Sequence, residues 1–329
     1  MIKIGIIGLG LIGLKRYQNL PKKFKLVGCS DINKKNYFKI DNYSEIPFFY
    51  DWKKLLLVDD IDAVIISTPH NQLYKIAIQA LKNKKHIFVE KPVTTGLASL
   101  KKLINYSKKK KKIVRVGFNH RYLESIIKAK KLIDKKQLGK IMFAKGSYGH
   151  GARLNYDKEW RMLPKMSGGG ELIDQGSHFI DLGNMFFGKI KNIESTIKSF
   201  YWKKNVDDNN FVILNYKNNS TFMFHTSCTE WKNTFRLEIY GKTGKILITG
   251  KGGSYGKEEL IFYKMKKKLG VPNQRKWKFN QDTSWGLELN EFYKDIKSNR
   301  NHECNLETAL KVMQILKKIY KQNNYDYCS

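Results

Sequence analysis

The chain opens with an apolar run of strand length, residues 2–8, that leads directly into a stretch with helical spacing. The same alternation recurs along the first third of the sequence. Strands that are apolar on both faces are typical of a sheet covered by helices on both sides. We therefore predict a parallel sheet with strands at 2–8, 24–31, 61–68, 86–91 and 113–119, separated by helices that include 71–84 and 96–111.

Three glycines lie at the first strand-to-helix turn, as Gly8-x-Gly10-x-x-Gly13. In a dinucleotide-binding turn the first glycine permits the tight turn and the second lets backbone approach a pyrophosphate. The third lets helix pack against strand, and the helix N-terminus then faces the phosphates. An ordinary glycine-rich turn is the alternative. The pattern predicts a cofactor-binding turn that also includes Leu11 and Ile12.

Asp31 stands at the end of the second predicted strand, where a dinucleotide-binding fold places the residue that contacts the adenosine ribose. Its carboxylate can accept hydrogen bonds from the ribose hydroxyls and would repel a 2′-phosphate. Lys34 and Lys35 follow closely and weaken that preference. The sequence predicts NAD as the cofactor, with NADP less favoured.

The pattern changes near residue 120, because later runs alternate with period two and are separated by turn residues. This indicates a large, mostly antiparallel open sheet with one face towards helices, preceded by a helix at 122–137. We predict an α/β protein with a doubly wound Rossmann domain at 1–120 and an α+β domain for substrate binding and oligomerisation at 121–329. Two closing helices, 284–298 and 306–322, are expected to pack the ends together and to reach back to the first domain.

Charge and composition narrow the class of protein. The net charge of +33 suggests nucleic acid or an anionic surface, yet 54 of the 62 basic residues are lysines scattered along the chain. We therefore expect no nucleic-acid and no membrane partner, since no apolar run reaches the roughly 18 residues of a membrane span. The cysteines show no CxxC spacing, which predicts neither a metal site nor a disulfide framework and fits a cytoplasmic enzyme. They are Cys29, Cys228, Cys304 and Cys328.

Five motifs in order carry a resemblance to a known family. They are "GLGLIG", "STPHNQLY" (67–74), "EKP" (90–92), "GFNHRY" (117–122) and "GGGELIDQGSH" (168–178). Together they resemble the Gfo/Idh/MocA family of NAD(P)-dependent sugar and cyclitol oxidoreductases over about residues 1–190. Each motif alone is unspecific, and the five in register are specific.

The resemblance implies that Lys91, Asp174 and His178 are catalytic. The chemistry agrees, because oxidation of a secondary alcohol needs a base near neutral pKa at the hydroxyl, and a histidine suits that task. A lysine can stabilise negative charge that develops on the same oxygen. The alternatives are a helix-surface Asp–His pair and a solvated lysine at a strand end. The glycines before the pair are interpreted as allowing close approach of the cofactor or sugar.

The family also places the segment after Thr68 beside the nicotinamide ribose. This implies that Thr68, Pro69, His70 and Glu90 join Lys91 at the cofactor. The His70 side chain has an alternative role as a cap of the following helix. His120 is predicted to lie behind the residues that touch the substrate.

The segment 148–166 precedes the catalytic residues and is predicted to rim the active site. Arginine recognises planar anions through two parallel hydrogen bonds, and aromatic rings stack on sugars or bases. The alternative is that these side chains order the loop or touch a partner subunit. The predicted substrate-binding residues, besides Asp174 and His178, are Arg121, Tyr148, Arg153, Tyr156, Trp160 and Arg161.

Our leading hypothesis is an NAD-dependent dehydrogenase that oxidises a secondary hydroxyl of a nucleotide sugar or another anionic sugar, at C3 in surface-glycan biosynthesis. The alternatives are an inositol or simple-hexose dehydrogenase and an enzyme whose tightly bound NAD is recycled within one turnover. A redox-sensing or nucleic-acid-binding protein is disfavoured by the intact catalytic residues. The resemblance further implies a homodimer or homotetramer assembled through the C-terminal sheet.

Overall fold

The computed structural model describes residues 1–202, 204–266, 268, 270–300 and 303–325. Strands and helices alternate through the first part of the chain, as the apolar runs predict. They are β1 (Ile2–Ile7), α1 (Leu11–Gln18), β2 (Phe24–Ser30), β3 (Phe48–Phe49), α2 (Trp52–Leu56), β4 (Ala63–Ile66), α3 (His70–Lys82), β5 (His86–Glu90), α4 (Leu97–Lys110) and β6 (Val114–Gly117).

These strands form a parallel sheet in the order β3-β2-β1-β4-β5-β6, the order of a doubly wound dinucleotide-binding sheet. The prediction of a buried parallel sheet is confirmed. It missed β3, an edge strand of two residues that is too short to show a period. In such sheets ligands bind at the carboxyl ends of the strands, next to the point where the strand order reverses between β1 and β4.

The second part of the chain begins with a helix and then forms a larger sheet. Its elements are α5 (Glu124–Asp134), β7 (Ile141–Gly149), α6 (Pro164–Ser167), α7 (Ser177–Phe187), β8 (Ile190–Lys198), β9 (Asn209–Tyr216), β10 (Thr221–Ser227), β11 (Thr234–Gly241), β12 (Gly244–Thr249), β13 (Glu258–Lys264), β14 (Asn273–Phe279), α8 (Ser284–Ser298) and α9 (Leu306–Gln322).

The strand order of this sheet is β14-β13-β12-β11-β7-β10-β9-β8. The prediction of a mostly antiparallel open sheet is confirmed, and the pair β7–β10 is its parallel exception. Alternate residues such as Ala144 and Phe222 are buried, which gives the period of two seen in the sequence. Sequence inspection missed β14, because this edge strand is rich in charged residues and largely exposed, so it lacks an apolar alternation.

The closing helices have the predicted bounds and pack on different parts of the molecule. Phe292 of α8 lies 6.0 Å from Phe24 and 5.7 Å from Phe88, measured between ring centroids, and so covers the first sheet. Helix α9 packs against α4 and α7 and lies between the two halves of the chain. The predicted domain boundary at 120/121 falls between β6, the last strand of the first sheet, and β7, the first of the second. That boundary stays a prediction.

A buried arginine joins two elements of the first half, α1 and β5, to the C-terminal helix α8. Arg16 is fully buried, with its Nε 2.7 Å from Glu90 Oε1 and its Nη1 2.8 Å from Glu288 Oε2. Its guanidinium also stacks on the rings of Phe88 and Trp285, at 4.3 and 4.4 Å from the centroids. The carboxylate that precedes Lys91 is therefore fixed from α1 and α8 together.

No helix in the described part of the chain is long and apolar enough to cross a membrane. Cys29, Cys228 and Cys304 are buried and free, and Cys328 lies outside the described residues. Within the described residues, no group of three or more His, Cys, Asp or Glu side chains is placed to hold a metal ion.

Substitution of Arg16 tests the buried ion network. Arg16→Met leaves Glu90 and Glu288 without their cation, so the free energy of unfolding at pH 7 should fall by about 3–5 kcal/mol in urea titrations. Lys22→Met, at an exposed position, is the matched control and should change the free energy by less than about 0.5 kcal/mol. A loss below about 1 kcal/mol for Arg16→Met would show that the network contributes little to stability.

Candidate active site

Lys91 and Asp174 form an ion pair across the two halves of the chain. Lys91 follows β5, and its Nζ lies 2.5 Å from Asp174 Oδ1 and also donates to the Asp174 carbonyl. The other carboxylate oxygen accepts from Arg161 Nε at 3.1 Å. Burial raises the pKa of Asp174, but Lys91 and Arg161 outweigh that effect and hold it well below 3.8. The Asp174 carboxyl is therefore ionised at neutral pH.

Asp174 and His178 do not lie on one regular α-helix, as their spacing suggested. Asp174 belongs to a π-helical turn, Leu172–Gly176, and His178 lies in the first turn of α7 that follows. A π turn inserts one extra residue per turn and is frequent at functional sites. No periodicity in the sequence distinguishes this turn from an α-helix, so it could not be predicted.

The His178 imidazole is buried, and it packs mainly against other aromatic rings. Its centroid lies 3.8 Å from that of His120 and 6.4 Å from those of Phe118 and Tyr148. Its Nδ1 has no hydrogen-bond partner among the described residues. Burial, reinforced by the positive charge of Lys91, lowers the pKa of His178 well below 6.5. The imidazole is therefore neutral at neutral pH and able to accept a proton.

His120 supports His178 from behind, as predicted from its position in the "GFNHRY" motif. It is buried, stacks on Phe235 with centroids 5.7 Å apart, and meets the Tyr148 ring at 5.1 Å. Burial and the neighbouring His178 lower its pKa as well. The contact between the two imidazoles therefore fixes the His178 ring without placing a charge beside it.

The glycine turn between β1 and α1 has the shape that a pyrophosphate requires. A Cβ on Gly13 would lie 1.9 Å from the Gly8 carbonyl oxygen, so this position accepts only glycine. A Cβ on Gly10 would meet nothing within 4 Å, which leaves open space in front of the turn. Gly10 is also the cap residue of α1, and no side chain bonds the free N–H groups there. These residues fit a dinucleotide, with the exposed Leu11 at the rim.

Asp31 and Thr68 lie where the cofactor prediction requires polar groups. Asp31 follows β2, and its carboxylate accepts from the backbone N–H groups of Leu9 and Asn33, at 2.5 and 2.9 Å. Thr68 follows β4, and its Oγ1 is buried without a hydrogen-bond partner in the described residues. Such an orphaned hydroxyl is expected where a bound molecule completes the hydrogen bonding.

His70 contacts protein groups. Its ring Nδ1 lies 2.7 Å from the Ser167 carbonyl oxygen, and Trp160 packs edge-on against it at 4.8 Å. Burial, and then Lys91, lower its pKa to about 4, so the ring is neutral. His70 begins α3 directly after Pro69, but its side chain reaches across to the segment before the catalytic residues instead of capping its own helix. This arrangement favours a structural role.

The predicted substrate arginines are engaged by carboxylates. Arg121 donates two hydrogen bonds of 2.7 Å to Asp181. Arg153 is half exposed and pairs with Glu159, while Arg161 bonds Asp174 as described above. Of the three, only Arg161 touches a catalytic side chain. The structure therefore favours structural roles for Arg121 and Arg153, and their contact with substrate stays a prediction.

The aromatic side chains of the segment 148–166 also fall into two groups, those enclosed by other protein groups and those that lie near the predicted site residues. Tyr156 is buried and donates to Glu171 at 2.8 Å, so its ring has no face free for a sugar. Tyr148 lies between His120 and Tyr255 inside the cleft, and Trp160 is partly exposed beside His70. Tyr148 and Trp160 remain the aromatic residues of this segment that are near the catalytic group.

The glycines at 168–170 have a different use from the predicted one. A Cβ on Gly169 would lie 2.3 Å from the Tyr320 hydroxyl, and one on Gly170 would lie 1.9 Å from the Asp207 carbonyl oxygen. Their missing side chains therefore let α9 and the segment before β9 approach the π turn. The interpretation that they make room for cofactor or sugar is corrected, because protein atoms fill that space.

The site also contains residues that sequence reasoning missed. The loop 250–257 between β12 and β13 places Lys251 and Tyr255 beside Tyr148. Lysine is so common in this chain that nothing in the sequence distinguishes Lys251 from solvated lysines. Only the topology, which brings the end of β12 next to that of β7 through β11, shows that it lies at the site.

The sheet order and glycine turn are those of a dinucleotide-binding domain, and comparison with known proteins agrees. Residues 2–118 match the model "Oxidoreductase family, NAD-binding Rossmann fold", and residues 126–247 match the "GFO/IDH/MocA C-terminal domain". These two models of one family together cover most of the chain. The chain belongs to the Gfo/Idh/MocA family.

Curated relatives are matched over part of their length. A levoglucosan dehydrogenase of Pseudarthrobacter phenanthrenivorans is 30% identical over 46% of this chain and 39% of its own length. An inositol 2-dehydrogenase of Salmonella typhimurium is 28% identical over 45% of this chain and 46% of its own. The chain thus matches less than half the length of these two proteins.

A solved structure of levoglucosan dehydrogenase with NADH and levoglucosan superimposes with a TM-score of 0.87. The superposition covers 98% of this chain and 97% of that one at 20% identity. This likeness shows that both halves of the chain share the fold.

Gly10 tests the dinucleotide turn without disturbing the fold. Gly10→Val places a branched side chain in the open space before α1, so NADH affinity measured by fluorescence titration should fall about tenfold or more. The thermal midpoint without cofactor should stay unchanged, because the backbone at Gly10 is one that any residue adopts. Gly13→Ala, by contrast, should destabilise the free protein. Undiminished NADH affinity in Gly10→Val would place the cofactor elsewhere.

Proposed function

We propose that this protein is an NAD-dependent dehydrogenase that oxidises a secondary hydroxyl of a sugar. The observation that carries the proposal is the convergence of Lys91, Asp174 and a neutral His178 at the carboxyl end of the parallel sheet. The fitted dinucleotide turn lies at the same edge. An ammonium donor and an imidazole base, adjacent to a hydride acceptor, are what alcohol oxidation needs.

Each side chain of the site has a separate role in the proposed reaction. A bound nicotinamide supplies the acceptor for the hydride. His178 takes the hydroxyl proton, since its imidazole is unprotonated at neutral pH. Lys91 bonds Asp174 through its side chain and carbonyl, so one of its three N–H donors stays available for the substrate oxygen. Asp174 holds the Lys91 side chain in place.

The preference for NAD over NADP rests on Asp31 and Lys34. The Asp31 carboxylate at the end of β2 would repel a 2′-phosphate. The Lys34 ammonium lies over the rings of Tyr37, Phe38 and Phe48, 5.5–5.8 Å from their centroids. It is thus held by an aromatic cluster and does not offset the repulsion.

For the substrate we retain the prediction of a nucleotide sugar or another anionic sugar, supported by the excess of cations at the site, Lys91, Arg161 and Lys251. Oxidation at C3 and a place in surface-glycan biosynthesis stay predictions. A neutral cyclitol or hexose is the second candidate, favoured by the inositol and levoglucosan dehydrogenases among the relatives. An enzyme that recycles tightly bound NAD would retain its cofactor through purification.

The test is NADH formation at 340 nm on a panel of neutral sugars, inositols, uronates and UDP- or GDP-linked sugars. NAD and NADP are compared in parallel. His178→Ala should lower kcat on the best substrate by about 10²- to 10⁴-fold, because the proton then has no positioned acceptor. NADH affinity should persist.

The matched control is His86→Gln, at the opposite end of the strand that precedes Lys91. It should retain activity. Turnover that survives His178→Ala within threefold would refute the assigned base. Bound NAD without net NADH formation on any substrate would instead support internal recycling of the cofactor.

We also propose that the outer face of the large sheet forms a subunit interface. Phe143, Phe211 and Met223 lie on this face and are 38–47% exposed, and Tyr240 stacks on Phe143 at 4.3 Å. Register pairs such as Phe143 with Thr221 and Met223 with Ile213 place them on one side, opposite the helices. Several exposed apolar side chains on one face of a sheet are typical of an interface between subunits.

Light scattering after size-exclusion chromatography tests this interface. The protein should elute as a dimer or tetramer, and the double variant Phe211→Glu, Met223→Glu should elute as a monomer, because it places charges in the apolar centre. Phe200→Glu, at an exposed position outside the strands, is the control and should leave the assembly intact. A monomeric wild-type protein would refute the proposal.

A further inference from the structure

The loop 250–257 brings a lysine from the second sheet beside Tyr148, next to the candidate active site. Lys251 Nζ lies 4.0 Å from the ring centroid of Tyr255 and 5.4 Å from that of Tyr148. Tyr148 in turn lies 5.1 Å from His120 and 6.4 Å from His178, measured between ring centroids. The ammonium group is thus one aromatic ring away from the two histidines. It is near enough for its charge to lower the pKa of both.

This amine differs from the other cations of the cleft because no carboxylate neutralises it. Lys91 and Arg161 pair with Asp174, whereas Lys251 has no ion pair or hydrogen bond among the described residues. Burial lowers the pKa of Lys251 to about 8. Holding an unpaired ammonium group half-buried costs free energy, and two ring faces offset only part of that cost.

The nearby carboxylate of Asp282 is already engaged. It lies 3.5 Å from Lys15, and it accepts hydrogen bonds from Trp285 Nε1 at 2.9 Å and from the Ser284 hydroxyl. The loop lies next to this residue at Gly252, because a Cβ added to Gly252 would be 3.3 Å from the Asp282 Cβ. The loop is therefore anchored, while the Lys251 charge remains without a partner carboxylate.

We infer that Lys251 binds an anionic group of the substrate, and that this group is a carboxylate on the sugar ring itself, as in a uronate. The inference rests on the proposed sugar dehydrogenase. A pyranose ring is only about 5 Å across, by ordinary covalent dimensions. Because only the Tyr148 ring separates Lys251 from the histidines, we expect it to meet a group carried by the oxidised ring itself, whereas the phosphates of a nucleotide sugar extend beyond that ring. A carboxylate would pair with the ammonium group and accept charge-assisted hydrogen bonds.

The test compares Lys251→Met with Lys257→Met, a matched lysine at the exposed end of the same loop. Substrates are taken in pairs that differ only in the carboxylate: glucose and glucuronate, galactose and galacturonate, UDP-glucose and UDP-glucuronate. Two readouts are used, kcat/KM with NAD and calorimetric binding of each sugar to the enzyme–NADH complex. Lys251→Arg tests whether another cation restores the selectivity.

In Lys251→Met the ratio of uronate to neutral-sugar kcat/KM, and the same ratio of affinities, should fall roughly 10- to 100-fold. Lys257→Met should keep the wild-type ratio, and Lys251→Arg should recover most of it. Thermal midpoints establish that each variant is folded.

A ratio unchanged within threefold would overturn the inference, as would a loss that follows the UDP group instead of the carboxylate. A fall in NADH affinity in Lys251→Met would assign the lysine to the cofactor instead. If wild-type enzyme oxidises neutral sugars and rejects every uronate, the inference fails while the proposed function stands. If it turns over no sugar yet binds uronates through Lys251, the proposed function fails alone; if it binds none, both fail.

Discussion

The ion pair between Lys91 and Asp174 is the interaction on which the site depends. It connects the end of a strand in the parallel sheet to the π turn in front of α7, so it joins the two halves of the chain at the cleft. Because Asp174 also bonds Arg161, the rim segment is tied to the same carboxylate. The pair positions Lys91, while burial, reinforced by the Lys91 charge, lowers the pKa of His178.

Further ion pairs fix residues that are close in sequence to Lys91 and His178. Arg16 fixes Glu90, the residue before Lys91, and reaches Glu288 on α8. Arg121 fixes Asp181 one turn after His178 on α7. A buried or half-buried arginine is costly unless its carboxylate partners are present, so these ion pairs favour one relative placement of strand end and helix.

Much of the fold and the core of the site could be predicted from the sequence. Continuous apolar strands and the glycine turn define the parallel sheet, and α8 and α9 have the predicted bounds because their apolar periodicity is strong. The ordered motifs predict Lys91, Asp174 and His178 as site residues, and their catalytic role stays a prediction. Features that depend on tertiary contacts could not be read from the sequence. The π turn, the engagement of Arg121 and Arg153 by carboxylates, and the packing of Gly169 against Tyr320 have no local pattern. Lys251 is missed for the same reason, since only strand order brings it to the cleft.

The central claim is that Lys91 and His178 face the reactive end of the nicotinamide. A crystal structure of the complex with NADH tests this most directly. The account predicts a pyrophosphate against Gly10 at the start of α1 and a nicotinamide ring in van der Waals contact with the space between Lys91 and His178. A nicotinamide ring that lies beyond contact with both side chains would contradict it.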